Sequence, residues 1–200
     1  IDELVLFEDD AETDQGWMLG AAGDTATTGV WVRVDPNGTA AQPEDDASDP
    51  GVNCFVTGQG SVGGSVGEND IDGGFTTLVT PLFDTSEFES MTVSFAYWYR
   101  NDAGASPGED SMLVEFSTDI GATWSLLAEI SQNATSWRTF EGQIPTNFSP
   151  STQVRFTASD FGAGSVVEAA IDDFSLSARS CGKTTCPGDF NLDGLVDGAD

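Results

Sequence analysis

Histidine is absent from this 200-residue chain, and bases are scarce: 6 lysines and arginines face 34 aspartates and glutamates, a formal net charge of −28. Without histidine there is no Ser-His-Asp or Cys-His nucleophile and no histidine-ligated zinc. The bases (Arg33, Arg100, Arg138, Arg155, Arg179 and Lys183) are scattered. They form no patch for nucleic acid or an anionic membrane, and no cluster to neutralise a uronate. No P-loop or nucleophile-elbow pattern occurs. A glycosidase needs only two carboxylates, but among so many acids no pair stands out. The sequence therefore predicts no enzyme. No run approaches the roughly 20 apolar residues of a membrane helix, so membrane insertion is not expected. Cysteine is also scarce. Cys54 stands alone in an apolar run and is expected as a buried thiol, while Cys181 and Cys186 lie close enough to bridge. The odd count leaves the pairing open. The chain opens on Ile1 rather than Met, as expected of a processed or partial chain.

What is present is apolar alternation. Met91, Val93, Phe95, Tyr97 and Tyr99 share one face of a period-two run, and Thr92, Ser94, Ala96 and Trp98 the other. Val154, Phe156 and Ala158 repeat the pattern. Similar short runs, separated by Gly, Asn, Asp and Pro, recur along the chain, and no window sustains a 3.6-residue period. The expectation is an all-β fold: a two-sheet antiparallel jelly-roll β-sandwich over residues 1–178, a linker at 179–187 and a short C-terminal calcium-loop tail at 188–200. Residues 35–75 hold long loops rich in Gly and acid, of the kind that is usually functional or ordered by an ion. A surface this acidic needs counter-cations, which calcium-rich extracellular fluid or saline water supplies.

The tail carries the most specific pattern. Asp189, Asn191, Asp193, Gly194, Asp197 and Asp200 occupy positions 1, 3, 5, 6, 9 and 12 of a twelve-residue calcium loop, and Leu195 at position 7 offers its carbonyl. The stretch resembles the first repeat of a type I dockerin, without the helix and the second repeat that a cohesin-binding surface needs. Similar "CPGDFN" tails occur in secreted proteins of marine bacteria such as planctomycetes. In such tails Cys186 pairs with a cysteine further along, an alternative to the Cys181–Cys186 bridge.

Two further patterns lie in the main domain. "STDIGATW", Ser117 to Trp124, fits the Asp-box of sialidases and other secreted β proteins, in which it shapes a turn. "LFEDDAETDQGW" near the start and "AAIDDFSL" near the end resemble jelly-roll carbohydrate-binding modules and MAM-type adhesion domains. That resemblance implies neighbouring first and last strands whose carboxylates share a structural calcium ion, here Glu8 with Asp172 or Asp173. In "ENDIDGG", Asn69, Asp70 and Asp72 sit in a Gly-flanked turn suited either to a further calcium site or to a plain Asx turn. Trp31, Trp98 and Tyr99 are the candidate sugar-stacking aromatics.

The function expected is that of a non-catalytic, secreted, calcium-binding surface or adhesion module, or a structural subunit of an extracellular assembly. The alternative is a carbohydrate-binding module appended to a secreted hydrolase. Its partner would be an extracellular glycan, a protein or copies of itself.

Overall fold

The computed structural model describes residues 2–134 and 136–180. Cys181, Cys186 and the whole terminal calcium loop, Asp189 to Asp200, lie outside the described residues. All regular structure among the described residues is β. The strands are β1 Asp2–Asp9, β2 Met18–Leu19, β3 Trp31–Val34, β4 Cys54–Thr57, β5 Gly74–Val79, β6 Ser90–Arg100, β7 Met112–Ser117, β8 Ser125–Ile130, β9 Arg138–Pro145, β10 Gln153–Asp160 and β11 Glu168–Ser180. No helix among the described residues is long and apolar enough to cross a membrane.

Two antiparallel sheets face each other. The first has the order β3-β4-β11-β6-β9, with β1 also on β11, and the second has the order β2-β5-β10-β7-β8. Their inner faces are the predicted period-two faces: Met91, Val93 and Phe95 of β6 meet Val154, Phe156 and Ala158 of β10, all at most 2 % exposed. Aromatic rings fill the middle, with Phe156 edge-on to Phe95 at 4.9 Å and Trp17 tilted against Phe55 and edge-on to Phe174. Edge-to-face contacts of this kind add to simple area burial.

β11 is the strand on which the first sheet is built. Ala170 and Ile171 pair with β4, residues 174–180 pair with β1, and the other edge pairs with β6. The register on β6 shifts between Asp172 and Ser175, where Asp173 holds a left-handed φ of 47°. This bulge turns the strand where it changes neighbour, a usual role for bulges.

Part of the outer face of the first sheet is closed to solvent. The 35–53 loop lies across it and closes a second small core of Ala41, Cys54, Val56, Trp98, Ala134 and Ala170. Trp137 Nε1 donates to the Asp45 carbonyl at 2.9 Å, and Arg100 Nη1 to the Ala40 carbonyl at 2.6 Å. Glu12 Oε1 accepts from the backbone N–H groups of Val52 and Asn53. Cys54 is a free, fully buried thiol, and burial pushes its pKa up. The Asp-box turn forms as its pattern implies. Asp119 accepts from Thr123 N and Oγ1 and from Ser117 Oγ, which holds its carboxyl below the usual range, and Trp124 lies against Gly121.

The lid over Trp98 sets a measurable quantity. Trp98→Ala should cost about 3–5 kcal/mol, like a core aromatic, when read by urea denaturation against Phe156→Ala. A cost under about 1 kcal/mol would mean that the ring is not buried in the folded protein.

Candidate functional site

The acids gather at two places on β11. The first is the bulge. Here the end of β1 lies beside Asp173, and Glu8, Asp9, Asp10, Gln15, Asp173, Phe174 and Ser175 line a cleft of about 480 Å³. The sequence places them there through register, since Glu8 pairs with Ser175 and Asp9 with Phe174. Asp9 is buried and already engaged, accepting from Trp17 Nε1 at 2.6 Å and from Ala11 N at 2.9 Å. Burial nonetheless pushes its carboxyl up. Asp173 is raised by burial first and then by the charges of Asp46 and Asp10. No base lines the cleft. Arg33 Nη1 instead donates to the Ala11 carbonyl.

Of the three acids expected here, Glu8 and Asp173 do share the cleft. Asp172 turns the other way. It is 1 % exposed and accepts from Ala47 N on one oxygen and from Asp173 N on the other, so it pins the 35–53 loop. Burial pushes its pKa up to about 7, with Asp173 and Asp46 adding repulsion.

The second place is the opening of β11. Asp70, Asp110, Asp160 and Glu168 are all buried there. Asp110 accepts from Phe161 N and Ser165 Oγ, and Asp160 from Ser165 N. Of the three polar candidates in the "ENDIDGG" turn, only Asp70 is buried. Asn69 is exposed and donates its amide to the Gln59 carbonyl, and Asp72 accepts from Thr28 Oγ1 at 3.2 Å. Burial and Asp72 push Asp70 up to about 6. Among the described residues no three acidic or cysteine side chains converge on one point.

The sugar-stacking expectation is overturned. Trp31, Trp98 and Tyr99 are 2 %, 2 % and 0 % exposed, so none presents a ring face. Trp31 and Tyr99 point between the sheets, and the 35–53 loop covers Trp98. Where β2 meets β3, a different cleft of about 430 Å³ is lined by Asp14, Gln15, Trp17, Leu19, Val32, Arg33, Val34 and Phe55.

Sequence reasoning missed Asp9, Asp10 and Glu168. Glu168 carried a signal, being a single acid inside the apolar run "VVEAAI". Asp9 and Asp10 carried none beyond standing next to Glu8.

The profile of the Reelin subrepeat B family matches residues 72–177. No curated protein matches the sequence. Among solved structures, the K1 cleaved adhesin domain of Lys-gingipain from Porphyromonas gingivalis W83 is 16 % identical, with a TM-score of 0.55 over 90 % of this chain and 99 % of that one. The K2 cleaved adhesin domain of Lys-gingipain is 12 % identical, with a TM-score of 0.53 over 86 % and 98 %. The CBM22-1–GH10 modules of Clostridium thermocellum xylanase 10B, solved with xylohexaose, are 12 % identical, with a TM-score of 0.51 over 88 % of this chain and 28 % of that one. At these identities the likeness is one of fold alone, a two-sheet β-sandwich shared with those adhesin and carbohydrate-binding domains.

The buried acids fix a sign for pH dependence. Asp172 and Asp70 have folded-state pKa values raised to about 7 and about 6. Their stabilisation is full below the unfolded value near ~4 and is lost as pH rises through ~6–7. In a chelator, the melting temperature should therefore fall between pH 5 and pH 8. A melting temperature that rises over that interval contradicts the assignment.

Proposed function

The chain belongs to the Reelin subrepeat B family, and we propose that it serves as a non-catalytic, calcium-dependent binding module of an extracellular surface assembly. The acidic cleft at the bulge of β11 carries this reading. A base-free cleft walled by Glu8, Asp10 and Asp173 suits a hard divalent cation, which takes six to eight oxygens from carboxylates, carbonyls and water. A bound ion would remove the repulsion among these acids and clamp the first strand to the last.

The same reading takes in the tail. Asp189, Asn191, Asp193, Asp197 and Asp200, with the Leu195 carbonyl, would hold a second ion and serve as a dockerin-like attachment point. Its affinity should be weak, near ~10⁻⁴ M, as in other extracellular calcium modules. The partner is a surface protein, a glycan or another copy of the chain. Leu4, Val5 and Leu6 of β1 are 45 %, 42 % and 39 % exposed on a strand whose one neighbour among the described residues is β11, and this favours strand-edge contacts with a partner. The likeness to MAM-type adhesion domains belongs to the same proposal.

The second reading is glycan binding, and one observation favours it: the cleft between β2 and β3 has the half-exposed Leu19 as an apolar wall and Gln15, Asp14 and Arg33 as polar partners. A glycan array with and without calcium separates the two. Signal lost on Leu19→Ala points to that cleft, and no signal leaves the protein-binding reading.

Calorimetric titration tests the calcium assignments. The full chain should take up one more calcium ion than a chain ending at Ser180. In both, Glu8→Gln with Asp173→Asn should weaken the tighter site at least about tenfold. Equal uptake by the two chains would show the tail to be a solvated acidic segment. Turnover of a polysaccharide or peptide that depends on one carboxylate would refute the non-catalytic reading.

A further inference from the structure

Glu168 is a buried acid that the bulge cleft does not use. It opens β11, is 3 % exposed, and its Oε1 is buried without any hydrogen-bond partner. Its other contact is the Gly67 N–H. The base across the ladder, Arg100, is already committed: its Nε lies 2.5 Å from Asp102, and its Nη1 donates to the Ala40 carbonyl. What faces Glu168 is Asp70. The two acids come together at Gly67, since a Cβ on Gly67 would lie 3.7 Å from Asp70 Oδ1. Asp70 is 9 % exposed, and no hydrogen bond from another residue among those described reaches its carboxylate. Behind it stand more acids, Asp72 and Asp160, with Asp110 beside Asp160.

A carboxylate removed from water and left without a donor is strongly disfavoured, and a second one beside it makes matters worse. Two remedies exist, a proton or a cation. A proton neutralises one acid at a time, whereas a cation held between the two carboxylates satisfies both, the unpartnered Glu168 Oε1 included. A calcium ion needs no third carboxylate, because carbonyl oxygens and water complete its shell.

We propose that Asp70 and Glu168 are the side-chain ligands of a calcium ion that ties the 58–73 loop to the start of β11. The site rests on the calcium reading given above but is separate from the bulge cleft, since Glu168 and Asp173 stand about 16 Å apart along the strand. Asn69 and Asp72, which share the turn with Asp70, are engaged by the Gln59 carbonyl and Thr28 and are not counted among its ligands. The ion would join a segment from the middle of the chain to its last strand, next to the Trp98 and Ala170 of the outer core.

The test uses the full 200-residue chain, calcium chloride by calorimetry, and terbium(III) as a luminescent probe excited through tryptophan. Trp98 pairs with Ala170, two residues from Glu168, and is well placed to sensitise an ion there. Glu168→Gln and Asp70→Asn should each lower calcium uptake by one ion per chain. Measured in the Glu8→Gln background, which removes a different ion, the one beside Trp17, each should also cut tryptophan-sensitised terbium emission several-fold. If Glu168→Gln fails to fold, Asp70→Asn gives the same readout, because its carboxylate is not needed as an acceptor. Unchanged uptake in Asp70→Asn and in any folded Glu168→Gln, with an ion still lost in Glu8→Gln, overturns this site and leaves the bulge site standing. No calcium uptake beyond that of the tail overturns both.

Discussion

The structure depends on one strand. β11 pairs with β4 at one end, with β1 at the other and with β6 along its flank, so the first sheet exists only if β11 is in place. Its bulge at Asp173 lets one strand serve two neighbours in succession. The same bulge brings acids from β1 and β11 to one cleft and sends Asp172 to the opposite side, where it holds the 35–53 loop by the Ala47 N–H. Strand exchange, loop anchoring and cleft formation thus come from a two-residue irregularity, and the acids flanking it are the cheapest groups with which to hold nearby backbone N–H donors.

The second constraint is charge. Most buried acids accept backbone N–H groups, as Asp9, Asp110, Asp160 and Asp172 do. This stabilises the charged form and spares the chain the bases it lacks. Among the described residues the ion pairs are Arg155 with Glu115 and Arg100 with Asp102. Acids left over from this arrangement, Glu168 and Asp70 above all, mark where an outside cation is most needed.

Fold class was legible because burial follows period two: β6 and β10 announce their inner faces residue by residue. β2, only two residues long, gave no pattern to read. The outer face of β6 was misread for a physical reason. Trp98 alternates with Tyr97 and Tyr99, which on an open sheet means exposure, but the 35–53 loop turns that face into a second core, and a loop without period announces no covering role. For the same reason Cys54 and Val56 are both buried although they point away from the sandwich interior. Glu8 and Asp173 were found by resemblance. Glu168 was not, because pairing across 98 residues of chain depends on how the 58–73 loop folds back, which no local spacing records.

The burial of Cys54 has a further consequence. The thiol lies under the 35–53 loop, in the small outer core, away from the interior between the sheets. Thiol reagents reach it when that cover lifts, whether or not the sandwich melts. The chain thus carries a native chemical clock for its own lid: at low denaturant the labelling rate of Cys54 measures the local opening equilibrium, and at high denaturant it measures global unfolding. The difference between the two regimes gives the free energy with which a single loop is fastened to the sheet.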